Sequence, residues 1–286
     1  MPKVRLIRAV TVAGCSGPRN GQYALQKALA ARRPEWLAIG GALEADEIPW
    51  FWCWLDRPAA ALCARTGRPF VAGPNVLFDS SRFPGAGAGE REVLEAAGCR
   101  LLFTESEWYR RLIDRHRGSQ NRAPIVLWPY PIDPKPAGPV CPPEHDLLLY
   151  VKTARFAGLA AALGRRYRRT RRVRYGRYRR ERLWQLARRS RCCLYLSDDD
   201  RGPLALAEIL LSGCPAVGLP GGAPFVQQGR TGILLDRFSV GGCVEAIENC
   251  LEFHRDEVAA LAAEQFDTHG IVEVVLGALH QAAGTA

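Results

Sequence analysis

Residues 194–236, LYLSDDDRGPLALAEILLSGCPAVGLPGGAPFVQQGRTGILLD, constrain the fold of this chain more than any other stretch. The apolar run Cys193, Leu194, Tyr195, Leu196 has the length of a buried strand and leads at once into an acidic turn at 197–200. Spacing turns helical over 204–211, and Gly213, Cys214 and Pro215 supply a glycine stop followed by a proline that cannot continue a helix. A second short strand at 216–219 then ends on the Gly221-Gly222 turn. Strand, helix, strand in this order is the unit of a parallel α/β sheet, in which ligands bind outside the carboxyl ends of the strands. Both strand ends here carry groups able to hold one, with Asp200 and Glu208 flanking the helix start.

At 286 residues the chain has room for two domains, each with its own core. A content of 48% hydrophobic and 24% charged residues is that of a soluble globular protein. No apolar run approaches the roughly 20 residues of a membrane span, and the first residues, MPKVRLIRAVTVAG, lack the layout of a signal peptide, so a cytoplasmic location is expected. The 10 cysteines contain no C-x-x-C pair and read as small buried hydrophobes in a reducing compartment, and the 5 histidines form no metal-ligand spacing. No metal and no cofactor are expected. The charge of +10 rests on 39 basic residues, of which four are lysines: Lys3, Lys27, Lys135 and Lys152. Fourteen arginines and a single acid, Glu181, fall between 165 and 191, a run that suggests a basic face for phosphates, nucleic acid or an anionic membrane surface.

From the amino terminus, residues 4–13 read as a buried strand running into a glycine-rich loop at 14–21, with a helix over 22–32. Glycine lets backbone approach a phosphate and the helix start adds partial positive charge, so the loop, Gly17 included, suits a diphosphate; G-x-G-x-x-G spacing is not met. Strands are expected near 36–40, 70–72, 100–103 and 125–128. Trp50, Trp52 and Trp54 crowd five residues, which suits core packing and also an aromatic platform on which sugars or bases stack. Asn75 follows a strand end, and Ser106 opens a helix through 115 with acids beside it, as an N-cap should. A proline-rich segment at 134–143 marks a boundary, after which 146–151 is a buried strand ending on Lys152 and Arg155. Helices are expected up to 163 and over 181–189, 239–253 and 256–266. The resulting division is 1–140, 141–270 and a last helix at 271–286.

Asp200-x7-Glu208, the helix after it, Gly213-Cys214-Pro215 and Gly221-Gly222 resemble, in order and spacing, the sugar-nucleotide signature of glycosyltransferase family 4. The Ser-Glu-Trp turn at 106–108 and Pro-x-x-Ile-Asp at 129–133 are similar to further family features. The resemblance implies a GT-B fold: two Rossmann-like domains with parallel sheets facing a central cleft, acceptor at the first, nucleotide sugar at the second, and the last helix, 271–286, crossing back to the first domain. It implies that Glu208 holds the donor ribose hydroxyls, since a carboxylate accepts two at once. Asp200 would face the transferred sugar, and Lys152 and Arg155 would neutralise the diphosphate. Donor contacts would also come from Gly17, Gly176, Arg177, Tyr178, Pro203, Leu204, Gly221 and Gly222, and acceptor contacts from Trp52, Asn75 and Ser106. The family usually carries Glu where this chain has Asp200, and commonly Glu where it has Phe225.

The resemblance therefore implies a retaining hexosyltransferase that moves a sugar from a UDP- or GDP-linked donor to a hydroxyl acceptor without a metal. The acceptor stays open among a small sugar, a lipid-linked saccharide, a protein and a hydroxymethylated base in DNA; the arginine run tilts it towards a polyanion or a membrane surface. From another class, the two departures and the arginine excess also fit a non-catalytic nucleic-acid-binding protein on a transferase scaffold. Two acids eight apart are, by themselves, also what a solvated turn and an exposed helix residue look like.

Overall fold

The computed structural model describes residues 2–7, 18–51, 56–74, 93–133, 137–200 and 202–284. The chain divides into two compact units. The first contains β1 (Val4–Leu6), α1 (Pro18–Arg32) from Gln22 onward, β2 (Leu37–Ile39), β3 (Ile48–Phe51), α2 (Arg57–Thr66), β4 (Phe70–Ala72), β5 (Cys99–Thr104), α3 (Glu107–His116) and β6 (Ile125–Leu127). The second contains β7 (Leu147–Val151), a 3-10 turn at Ala154–Phe156, α4 (Ala157–Arg166), β8 (Thr170–Arg174), α5 (Arg180–Arg188) and β9 (Cys193–Leu196). It continues through α6 (Leu204–Leu211), β10 (Ala216–Gly218), β11 (Gly232–Leu234), α7 (Val240–Cys250) and α8 (Arg255–Gln265). The last helix, α9 (Thr268–Gly284), belongs to the first unit.

Every described pairing in both sheets is parallel, with order β2-β1-β3-β4-β5-β6 in the first unit and β11-β10-β9-β7-β8 in the second. Parallel sheets need helices on both faces, and the second unit shows how the sequence provides for this. Successive residues of β7 alternate sides: Leu148 and Tyr150 join the cluster under α5, α6 and α8, and Leu147, Leu149 and Val151 the one under α4 and α7. Cys193 and Tyr195 of β9 face the first cluster, Leu194 and Leu196 the second. Helix α6 is buried on every side, from Ala205 to Leu211, which is why its eight residues hold one polar side chain, Glu208.

Strand β8, TRRVR, lies inside the arginine run where no strand is expected from the sequence. Only Val173 is buried, and the strand forms because it pairs with β7 along its whole length, Leu147↔Thr170 to Val151↔Arg174. As the end of the sheet it needs one covered residue rather than an alternating pattern, and its arginines protect the open edge.

In the first unit Trp50 is fully buried, with its ring 5.3 Å from Phe103 and its indole N–H donating to the Gly73 carbonyl at 3.0 Å. Core packing thus accounts for the one tryptophan of the aromatic cluster that is described. Helix α9 is tied down by Trp36 against His280, with centroids 5.6 Å apart, and by the Arg32–Glu273 pair at 3.0 Å. No helix among the described residues is long and apolar enough to cross a membrane.

Candidate active site

The second unit gathers its chemistry where β7 and β9 end side by side, because these two strands pair directly and Val151 lies opposite Leu196. Lys152 follows β7, and its ammonium lies 2.6 Å from Asp200 Oδ2. Tyr195, on β9, donates its hydroxyl to the same oxygen at 2.8 Å. The Tyr195 ring stacks on Tyr150 of β7 with centroids 4.6 Å apart and planes 4° from parallel, and the Tyr150 hydroxyl meets that of Tyr178 at 3.3 Å. Burial raises all three phenols above their usual range, Tyr178 to about 12, so each keeps its proton at neutral pH. Arg155 pairs with Asp198 at 2.6 Å, and Lys152 also stands 5.4 Å from the centroid of the Tyr175 ring.

These contacts exclude a solvated turn: the side chains of Asp198 and Asp200 are only 13% and 12% exposed. Burial pushes the Asp200 carboxyl above its ordinary value, against the opposing pull of Lys152 and the Tyr195 hydroxyl. The turn is held from below by the glycine loop, with the Asp200 amide donating to the Gly221 carbonyl at 2.7 Å. A Cβ on Gly222 would stand 1.8 Å from the Ser197 carbonyl oxygen, so only glycine permits this approach. The hydroxyls of Thr153 and Ser197 are enclosed at the same two strand ends without a protein partner.

Glu208 is 4% exposed, within the apolar helix α6. Its carboxylate accepts from the Arg180 guanidinium at the start of α5, and Arg180 in turn lies 5.8 Å from the Trp184 ring. Burial raises the Glu208 carboxyl to about 7, with Arg180 opposing. An exposed helix residue is excluded here too. Arg180 was hidden in the sequence by the thirteen other arginines of its run; its partner is 28 positions away, and nothing local marks it.

No family model matches the chain, and no curated protein matches it in sequence. Solved structures do resemble it. AviGT4, a glycosyltransferase involved in avilamycin A biosynthesis, is 17% identical with a TM-score of 0.56, over 100% of this chain and 99% of that one. The sucrose-phosphate synthase of Thermosynechococcus elongatus is 13% identical with a TM-score of 0.65, over 100% of both chains. HepE of Anabaena, solved with UDP-glucose, is 12% identical with a TM-score of 0.61, over 98% of this chain and 99% of that one. The fold is GT-B.

Within the GT-B fold the expected site residues of the second unit fall together: Lys152, Arg155, Tyr178, Asp200, Glu208, Gly221 and Gly222 cluster around the ends of β7 and β9 and the flank of α6. Pro203 and Leu204 open α6, and Gly176, at φ 70°, makes the turn between β8 and α5 that brings Tyr178 back to Tyr150. Arg177 is exposed and lines a surface depression beside β8. Gly17, Trp52 and Asn75 lie outside the described residues. Ser106 belongs to the first unit, where it is 3% exposed and caps α3 by accepting from the Tyr109 amide at 3.3 Å. Phe225, where Glu is common in the resembled family, is a core residue of the second unit, edge-on to Phe266 at 5.1 Å. Among the described residues no group of three or more His, Cys, Asp or Glu side chains is placed so that it could hold a metal ion.

Proposed function

We propose that this protein is a retaining glycosyltransferase that takes a hexose from a nucleotide-sugar donor. The observation that carries the reading is the buried Glu208 carboxylate on α6, beside a Lys152–Asp200 pair at the adjoining strand ends of a GT-B domain. Structures with this fold include HepE, described in complex with UDP-glucose, which favours UDP over GDP as the donor base. Glu208 accepts the ribose hydroxyls, with Arg180 holding the carboxylate in place through its second face. Lys152 and Arg155 exchange their aspartate partners for the diphosphate and offset the charge that grows on it as the sugar departs. Preorganised cations at such a position are worth a few kcal/mol of barrier, about 3 kcal/mol, and supply the positive charge without a metal.

In the transfer, the bond from the anomeric carbon to the diphosphate breaks and the bond to the acceptor oxygen forms on the same face. The acceptor proton passes to the departing phosphate oxygen. Asp200, held by the Tyr195 hydroxyl once Lys152 has turned to the diphosphate, accepts hydrogen bonds from sugar hydroxyls. Its side chain is one methylene shorter than the family's usual Glu, and the Tyr195 hydroxyl sets where it stands.

A panel of UDP- and GDP-sugars in a thermal-shift assay tests this. One of them should raise the melting temperature of the native chain by several degrees, and the shift should vanish in Glu208→Ala. No response to any donor would instead favour a nucleic-acid-binding protein on a transferase scaffold, the reading that the arginine excess supports.

A further inference from the structure

Beside β8 the second unit carries a depression of 460 Å³ lined by Arg171, Arg172, Arg174, Arg177 and Arg182, with Val173, Tyr178 and Leu186. No carboxylate lines it, and none of these five guanidiniums takes part in an ion pair among the described residues. Other arginines of the same run are paired: Arg169 with Asp146 at 2.7 Å, Arg189 with Glu144 at 3.2 Å, and Arg180 with Glu208. Among the described residues three of the fourteen arginines of the run have carboxylate partners, and of the eleven without one, five converge on a single concave surface. Edge protection explains charge on β8 itself. It does not explain Arg177 and Arg182, which come from the following turn and from α5 and close over the same depression.

We infer that this groove binds a single-stranded nucleic acid along the edge of β8. All five cations are arginine, whose planar fork matches phosphate oxygens in a bidentate way. A strand of five residues spans about 16 Å, more than a single diphosphate occupies. One aromatic side chain, the partly buried Tyr178, lines the groove among the cations, and Tyr175, 53% exposed, stands at the end of β8 outside it; a cationic track with an aromatic edge suits unpaired bases. A lipid surface fits less well. Membrane-binding faces present large aliphatic or Trp side chains among their cations, and the exposed large hydrophobics among the described residues other than Tyr175 are Leu62, Val240 and Val274, none of which lines this depression. The groove adjoins the donor site through Tyr178, whose hydroxyl meets that of Tyr150 in the stack that ends on Asp200.

Fluorescence anisotropy of a labelled oligothymidylate of about 20 nucleotides, titrated with the full chain over a range of salt, reads this directly. Arg171→Glu/Arg182→Glu should weaken binding about tenfold or more and lower the slope of log affinity against log salt by about 1.4, the share of two phosphates on a single strand. Arg165→Glu/Arg168→Glu makes the same change in net charge at exposed positions outside the groove and should alter affinity by no more than about twofold. Arg171→Gln/Arg182→Gln, which removes charge without reversing it, should fall between the two, and covers the case in which the reversed pair fails to fold. Equal losses in the groove and control variants would overturn the inference in favour of diffuse charge. So would groove-dependent binding to phosphatidylserine vesicles with no binding to the oligonucleotide. The inference does not depend on the donor reading: the donor-induced thermal shift should persist in Arg171→Glu/Arg182→Glu, whereas its absence from the native chain would sink the donor reading and leave the oligonucleotide result intact.

Discussion

Glu208 combines two features that seldom coexist, a carboxylate buried in an apolar helix and a cationic partner at one of its oxygens. Burial raises its carboxyl to about 7, and Arg180 opposes this. In the proposed role of Glu208 the ribose hydroxyls would donate to the ionised form, so donor affinity should climb as pH rises from about 6 to about 8. The stability effect has the opposite sign. A carboxyl whose folded-state pKa lies above its ordinary value of 4.5 adds stability that is complete below that value and is lost as pH rises through about 7. Glu208→Gln should flatten both trends, measured by calorimetric titration of the donor and by urea unfolding over the same pH range; donor affinity independent of pH in the native chain would contradict the assignment. The sequence marks Glu208 as a single acid in the octet LALAEILL, but not what it touches. Arg180 arrives from 28 positions earlier, through the packing of α5 on α6, which no local pattern encodes.

Elements with strong patterns match their expected bounds closely: β9 and α6 coincide with the apolar runs that announced them, and Ser106 caps α3 as its position before Glu107 suggests. Strand β8 does not show in the sequence, because an edge strand with one covered residue lacks the alternation by which strands are recognised. The ends of the elements around the site are held by Arg255, at the start of α8. Its guanidinium donates to three backbone carbonyls, Gly213 at 2.8 Å, Cys141 at 2.6 Å and Arg188 at 2.7 Å. It thus joins the ends of α5 and α6 to the segment before β7. Arg255→Ala should cost about 3 kcal/mol in urea unfolding, and Arg255→Lys should recover little of it, since a single ammonium cannot serve three carbonyls set in a fork. A loss below about 0.5 kcal/mol would show that the three bonds are replaced by solvent at no cost.

For the whole molecule, each unit closes its own core, so perturbations should stay local. In the first unit Arg5 embraces Glu47, which is 5% exposed, while the Glu44 amide donates to the same carboxylate at 3.0 Å. The Arg5 hydrogen bond holds the Glu47 carboxyl below its ordinary value of 4.5, so the stability it gives is present above that pH and is lost as pH falls through the lowered value. Glu47→Gln should lower stability by about 2 kcal/mol near neutral pH, less in acid, and leave the donor-induced shift intact. Scanning calorimetry with and without the donor reads both, and loss of the donor shift would show that the units do not act independently. The sequence by itself determined the alternation of strands and helices, the two-domain plan and the ordered acids and glycines of 194–236, because periodicity and turn chemistry are local. Only the tertiary structure decided that Lys152 and Tyr195 share Asp200, that Arg180 rather than any other arginine of its run faces Glu208, and that five of the rest converge without a counter-charge. Those are distances between strands and helices far apart in the chain, fixed by parallel pairing and by the burial of α6.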